Sequence, residues 1–249
     1  MDVRIIHENT LYQLTFYNNK SLSVNCYLVE EQEGLTLADA AMPGCSHEIL
    51  QLAGQIGKPI TRIVLTHLHH DHVGALDELK QAIPDVLVYI SSREARLMAG
   101  DYTLDPGEAN TPIRGIIPKN LQTPADFQLQ DGDKIGSLLA VAAPGHTPGS
   151  MAFLDLRCKS LIAGDAFQTE GGIAVSGQLR PLFPFPAKAT WNQQVALESA
   201  VKLRMHCPSL LAVGHGEMLK QPCAEMDRAI AEAMSNLELE RDRSSHSNP

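Results

Sequence analysis

Three imidazoles and a carboxylate stand close together in Thr66-His67-Leu68-His69-His70-Asp71-His72-Val73-Gly74, at His67, His69, Asp71 and His72. Four of the ten histidines of the chain fall in this run, with His70 the spare of the set. Neutral imidazole and carboxylate are the donors suited to Zn²⁺ and its neighbours, at about 2.0–2.2 Å. The run follows directly on the apolar stretch Ile63-Val64-Leu65, where a strand ends and the turning chain can aim several side chains at one point. The pattern recurs in another form. Leu138 to Ala142 runs into Pro144-Gly145-His146, Leu161 to Ala163 into Gly164-Asp165, and Leu210 to Val213 into Gly214-His215. Each alone is an ordinary turn. Together they place donors at the ends of four apolar strands, where α/β architectures gather their sites, with glycines that permit the sharp turns required.

The elements that must position these donors can be read from periodicity. Leu11 to Tyr17, Leu22 to Val29 and Leu35 to Ala40 read as a meander of strands. Ile49, Leu50, Leu52, Ala53 and Ile56 recur at helical spacing until Gly57-Lys58-Pro59. A helix over about 75–82, a strand over Val86 to Ile90 and a helix from Ser92 to about Gly100 follow. Strands resume at Phe127 to Leu129, Leu138 to Ala142, Met151 to Leu156 and Leu161 to Ala163. A helix over about 190–205, a strand over Leu210 to Val213 and an amphipathic helix over about 224–241 complete the chain. Two stretches lack periodicity, Asp101 to Pro124 and Gly171 to Ala189, and long irregular loops of this kind tend to be binding segments. No linker divides the chain, so residues 1–241 are expected to form a single domain and 242–249 a disordered polar tail.

Composition removes several classes. The chain has 249 residues, 44% of them hydrophobic, enough for a substantial core. Its net charge of −9 and the lack of any Lys/Arg cluster argue against nucleic acid. No apolar run reaches the length that spans a bilayer, and the N-terminal stretch mixes charges and amides where a signal peptide would be apolar, so no membrane partner is expected. Five widely spaced cysteines without a Cys-x-x-Cys pair read as free thiols of a reducing cytoplasm. The oligomeric state stays open, a homo-oligomer included.

His-x-His-x-Asp-His at His67 to His72, Gly145-His146-Thr147-Pro148-Gly149, Gly164-Asp165 and Gly214-His215 resemble, in order and separation, the metallo-β-lactamase superfamily, over about residues 25–216. The resemblance implies an α/β fold of layered α+β type, the αββα sandwich, with a dinuclear metal site in a groove at one edge. It implies that His67, His69 and His146 hold one metal, that Asp71, His72 and His215 hold the second, and that Asp165 bridges them. The cofactors would be two divalent ions, zinc first, with iron or manganese as alternatives. Asp39 resembles the family's early aspartate behind the ligands, and the residue two positions on, usually glycine, is Ala41 here. Two divalent cations on a shared water lower its pKa from about 15.7 toward neutrality, which makes hydroxide available as nucleophile. Asp71 is the candidate to hold that hydroxide and pass a proton to the leaving group.

A fold of this kind does not fix the substrate. The stretch after His215 is shorter than the helical domain with which glyoxalase II enzymes bind glutathione, and the Asp165 to His215 interval is too short for the insert of the nucleic-acid-cleaving branch. Where lactonases carry a substrate-polarising tyrosine, three residues after the bridging aspartate, this chain has Gln168, after Phe167. The expected activity is hydrolysis of a small ester-type bond, thioester or lactone. The alternatives are a mononuclear iron persulfide dioxygenase and a non-catalytic binding protein of the same fold. Tyr102, Ile116, Phe167, Gln168, Phe183 and Phe185 are expected to line the substrate pocket.

Overall fold

The computed structural model describes residues 2–18 and 22–246. Seven strands, β1 (Asp2–Glu8), β2 (Leu11–Asn18), β3 (Leu22–Glu30), β4 (Leu35–Ala38), β5 (Ile60–Val64), β6 (Leu87–Ser91) and β7 (Phe127–Leu129), form one sheet in chain order. The first four pair antiparallel and β4 to β7 pair parallel. The second sheet contains β8 (Lys134–Ile135), β9 (Leu138–Ala142), β10 (Met151–Asp155) and β11 (Ser160–Ile162). After a separate hairpin of β12 (Phe167–Gln168) and β13 (Ala174–Val175), it is completed by β14 (Leu210–Ala212) and β15 (Leu219–Lys220), with β11 and β14 parallel.

The period-2 alternation of the strands builds the layers. Leu14, Phe16, Val24, Cys26, Leu28, Leu35, Leu37, Ile63, Val88 and Ile90 face the helices α1 (Ser46–Ile56), α2 (His70–Val73), α3 (Leu76–Ala82) and α4 (Ser92–Met98). The opposite face, with Leu11, Tyr27, Val29, Ala38 and Val64, meets Leu138, Ala140, Met151, Phe153, Ile162, Leu210 and Ala212 of the second sheet. Val141, Ala152, Leu154, Leu161 and Leu211 then turn outward. They pack against α6 (Gln193–Met205) and α7 (Cys223–His246), which follow the short α5 (Phe185–Ala189). Met226, Ala229, Ile230 and Ala233 place an apolar stripe of α7 on that sheet. The result is the expected αββα sandwich.

Besides the short elements α2, α5, β8, β12, β13 and β15, which the periodicity of the sequence does not mark, two longer elements differ from the expectation. β1 pairs along β2 as an edge strand; only one side needs partners there, so its mixed composition, with Val3 packed on the core and Arg4 exposed, carries no clear alternation. Helix α7 runs on to His246, into the segment expected as a tail, because Leu237 to Arg243 are mostly straight-chain residues that sustain a solvated helix. Residues 247–249 lie outside the described residues.

The ends of β4, β5, β11 and β14 meet at one edge. Asp39 N–H donates to Val64 O (2.9 Å), Met151 N–H to Thr66 O (2.8 Å), and Gly214 N–H to Gly164 O (2.9 Å). Across the sandwich, Asn25 of β3 donates its backbone N–H to Gly214 O (2.8 Å) and its side-chain amide to Val213 O (2.8 Å) and Gly216 O (2.7 Å). Phe153, fully buried between the sheets, is the largest inner side chain of the second sheet. Phe153→Ala is expected to lower unfolding free energy by about 3–5 kcal/mol, as read from denaturant melts; a change below about 1 kcal/mol would contradict the packing described.

Candidate metal centre

His67, His69, His72, His146, Asp165 and His215 are all buried at that edge, and Asp71 is half-buried beside them. Their potential donor atoms gather in three groups, His67 with His69 and His146, His67 with His72 and Asp165, and Asp71 with His72 and His215. The rings of His67, His69 and His146 stand nearly perpendicular to one another, with centroids 4.6–4.8 Å apart. Asp165 lies between the groups, its Oδ2 3.3 Å from His146 Nε2 and 3.3 Å from His215 Nε2, its Oδ1 3.4 Å from His72 Nε2. Asp71 Oδ2 is 3.5 Å from His215 Nε2. His70 points to solvent at the cavity rim.

The outer nitrogen of every one of these imidazoles is tied to an acceptor, and this fixes which nitrogen carries the proton. Thr66 Oγ1 donates to Asp39 Oδ2 (2.8 Å), so it accepts from His67 Nδ1 (3.0 Å). His69 Nε2–H donates to Arg114 O (2.9 Å), His72 Nδ1–H to Asp39 Oδ2 (2.8 Å), and His215 Nδ1–H to Ser23 O (2.5 Å). His146 Nδ1–H donates to Ser176 Oγ (3.0 Å), which passes on to Thr190 Oγ1 (2.9 Å) and from there to Pro186 O (2.7 Å). In their neutral forms all five inner nitrogens are then bare lone pairs. His69 Nδ1 faces His67 Nε2 at 3.1 Å and His146 Nε2 at 2.9 Å with no proton to share. His72 Nε2 and Asp165 Oδ1 are buried without any hydrogen-bond partner. A divalent cation is the group that satisfies such a set, so the residues present fit one.

Electrostatics point the same way. Burial pushes His67 well below the ordinary imidazole range, with His72, His69 and His146 adding to it, and burial takes His146 down to about 3. Burial opposes charge on His72 and His215 as well, but Asp165, with Asp39 for His72 and Asp71 for His215, holds both above the usual range. Asp165 itself is held far down, burial being outweighed by His215, His72 and His146.

The backbone makes room for this concentration of donors. A Cβ on Gly214 would lie 2.1 Å from Asp165 Oδ1, and one on Gly115, whose φ is +84°, 2.0 Å from His69 Nε2. The Ala41 substitution for the usual glycine keeps the left-handed turn, at φ +51°, while Ala41 O accepts from Gly74 N–H (2.7 Å). Asp39 also takes Thr66 N–H on Oδ1 (2.7 Å), so one carboxylate braces the strand end and His72 together.

A cavity of about 420 Å³ opens over the cluster, with Met42, Pro43, Ile116, Phe185, Pro186 and Ala189 as apolar walls and no Lys or Arg among its lining residues. Of the side chains expected there, Ile116 and Phe185 line it. The others do not. Tyr102 is an exposed loop residue off the cavity, and Phe167 is wholly buried in the core beneath the second sheet. Gln168 spends its amide on Glu170 O (2.9 Å) and Phe183 O (3.2 Å). Phe183 is turned inward, with its ring 5.1 Å from that of His215, and borders an adjoining cleft instead. Met42 and Pro43 were legible only as neighbours of Asp39 past a strand end. Gly115 carried no signal beyond its place in a long loop.

A family model described as the metallo-beta-lactamase superfamily matches residues 20–215. The chain belongs to that superfamily, and it is a metal-dependent hydrolase of that fold with His/Asp groups that could hold divalent metal. It is 53% identical over 231 residues to the Bacillus subtilis (strain 168) protein described as uncharacterized protein YobT, covering 93% of this chain and 99% of that one. It is 31% identical over 213 residues to the probable metallo-hydrolase YflN of the same organism, covering 77% and 80%. It is 30% identical over 155 residues to the hydroxyacylglutathione hydrolase of Gloeobacter violaceus, where it covers 61% of this chain and 52% of the relative. Among solved structures, the DIM-1 metallo-beta-lactamase superposes with TM-score 0.72 at 15% identity, over 95% of this chain and 98% of that one, a likeness of fold. The di-iron-bound form of TTHA1623 does so with TM-score 0.59 at 27% identity, over 81% and 92%.

Because Asp165 and its neighbouring carboxylates hold His72 and His215 above the ordinary imidazole range, the metal-free chain keeps protons on them to higher pH than a free imidazole would, and a cation must displace those protons; affinity therefore rises with pH through that range. Calorimetric zinc titrations of metal-free protein at pH 7, in buffers of different ionisation enthalpy, should show release of about one to two protons per chain. Zero release would contradict this charge assignment. Gly115→Ala should weaken zinc retention by displacing His69, and unchanged retention against a chelator would contradict the contact.

Proposed function

We propose that the chain is a dinuclear metal-dependent hydrolase of an ester-type bond, thioester or lactone, whose acyl part is uncharged and apolar. The reading is carried by the convergence of five imidazole lone pairs with Asp71 and Asp165 under an apolar cavity. His67, His69 and His146 would hold one ion, Asp71, His72 and His215 the other, with Asp165 between them. Zinc suits imidazole and carboxylate donors; the di-iron form of TTHA1623 keeps iron in view, and manganese accepts carboxylate donors. Divalent cations bound there supply a water of lowered pKa and polarise the scissile carbonyl oxygen.

Asp71 lines the cavity and is the one donor with appreciable exposure, 27% of its side chain. Burial pushes its carboxyl up, but His72 and His215 outweigh that and hold it below the usual range, so it is ionised at neutral pH. It is placed to take a proton and hand it to the leaving group. The walls Met42, Pro43, Ile116 and Phe185 exclude water from an apolar acyl chain, and they offer no cation to a pendant carboxylate. Gln168, turned onto backbone carbonyls, polarises no substrate, which favours a thioester over a lactone. The persulfide dioxygenase reading would leave Asp71, His72 and His215 idle, although they form a complete donor group. Residues 1–241 are read as one domain, joined by the core between the sheets. Five cysteines, none of them in a disulfide among the described residues, suit a reducing cytoplasm.

Metal analysis of protein purified without added metal is expected to give about two ions per chain; His215→Ala is expected to give about one, with folding intact and hydrolysis lost. A single iron, with oxygen uptake on a persulfide, would establish the dioxygenase instead. On a panel of acyl thioesters, lactones and phosphodiesters, apolar acyl thioesters should lead, and Phe185→Ala should raise their KM about tenfold with kcat little changed. Phosphodiesters as best substrates would overturn the pocket reading.

A further inference from the structure

Glu94, in the first turn of α4, is wholly buried and lies outside every donor group at the site. Ser91 caps that helix, its Oγ accepting Glu94 N–H (3.0 Å) and donating to Gly149 O (2.6 Å). A Ser-x-x-Glu pair of this kind ordinarily folds the glutamate back onto the cap N–H. Here the carboxylate points instead into the gap between two other turns. Oε2 accepts Leu68 N–H (2.9 Å), the peptide between His67 and His69. Oε1 accepts Thr147 Oγ1–H (2.8 Å) and Gly149 N–H (3.0 Å), in the turn that follows His146. Thr147 Oγ1 in turn lies 2.7 Å from Ser150 Oγ.

One carboxylate thus joins the two chain segments that supply the three mutually perpendicular imidazoles. The two segments come from different sheets, and no residue of the His67/His69/His146 group bridges them except through the mutually repelling nitrogens themselves. All the hydrogen-bond donors to Glu94 are neutral, and the charge of the adjacent Arg93 is the weakest of the influences that favour its ionised form. Burial accordingly pushes its carboxyl up to about 7, against the bonds from Thr147, Gly149 and Leu68. A charge so expensive to bury is poor as a plain stabiliser. Its value lies in having two acceptor oxygens, one for each turn.

We infer that Glu94 is a positioning residue of the metal centre, a strap that sets the distance between the His67/His69 turn and the His146 turn and so the geometry of the first ion. The inference rests on the reading of those histidines as ligands. Glu94→Gln keeps size and shape but turns one acceptor into a donor facing a donor, releasing one of the two turns. Thr147→Val removes one of the bonds to Glu94, together with the local contact to Ser150, and keeps the carboxylate. Asp155→Asn is the comparison: a buried carboxylate, bonded by Thr10 (2.7 Å) and Arg157 (2.6 Å), away from the site.

The experiment loads each full-length variant with zinc or cobalt and reads zinc release to a chelator, the visible spectrum of the cobalt form, and the melting temperature of metal-free protein. Glu94→Gln should release zinc about tenfold or more faster than wild type and shift the cobalt spectrum; Thr147→Val should do both to a smaller extent. Asp155→Asn should lower the melting temperature while release and spectrum stay as in wild type. Wild-type release and spectrum in Glu94→Gln, whatever its melting temperature, overturn the inference while leaving the metal reading intact. If Glu94→Gln does not fold, the same two readouts unmoved in Thr147→Val overturn it. A wild-type chain that takes up no cobalt overturns the metal reading, and this inference with it.

Discussion

Five imidazole lone pairs and two carboxylates aimed at one small volume repel one another, and this repulsion is the constraint that the surrounding structure answers. Without a cation, protons must stand in for it, and they are favoured on His72, which has both Asp39 and Asp165 beside it, and on His215, which has both Asp165 and Asp71, while burial disfavours them on His67 and His146. Such a cluster cannot hold itself together. Each ring is therefore gripped from behind: His67 by Thr66, His69 by Arg114 O, His72 by Asp39, His146 by Ser176 and His215 by Ser23 O. The grips settle both the direction of each ring and the nitrogen left free for metal.

The αββα layering supplies what the grips hang from. A single sheet offers donors along one line, whereas two facing sheets offer them from two sides of a groove. Here the turn after β5 brings His67 to His72, and the turns after β9, β11 and β14 bring His146, Asp165 and His215. Asn25 fastens β3 to the loop of His215, and Met151 N–H fastens the second sheet to Thr66. The inter-sheet core of Tyr27, Leu138, Phe153 and their neighbours then sets the spacing between the two donor sources. Packing density far from the chemistry in this way fixes distances within it.

What the sequence made legible follows from how local each signal is. Donors sit directly after strands, so strand periodicity and the His-x-His-x-Asp-His run located them together. Layer order came from the resemblance those motifs carry, and the alternation of inner and outer faces along the strands is consistent with it. The direction of a loop side chain has no such period. Phe183 and Phe185 are two residues apart, yet one packs toward His215 and the other walls the cavity. Glu94 was hidden for a different reason. Ser91 and Glu94 have the spacing of a helix cap, and only the tertiary structure shows the carboxylate turned away from the cap toward Leu68 and Thr147.

The loops that wall the cavity are not independent of the metal donors. Arg114 O takes the outer proton of His69, and Ile116 O takes His70 N–H (2.8 Å), while the next side chain on that loop, Ile116, lines the pocket. On the other side Phe183 packs on His215, and Pro186 O ends the hydrogen-bonded chain that starts at His146, with Phe185 between them in the pocket wall. Both walls thus grip the rings with the same backbone that presents their apolar side chains. A change of loop sequence that reshapes the pocket must also preserve those carbonyl positions or alter the metal site. In this fold, where substrate choice is grafted onto a shared set of donors, that coupling restricts variation to the side chains of the loops and leaves their backbone path tied to the chemistry.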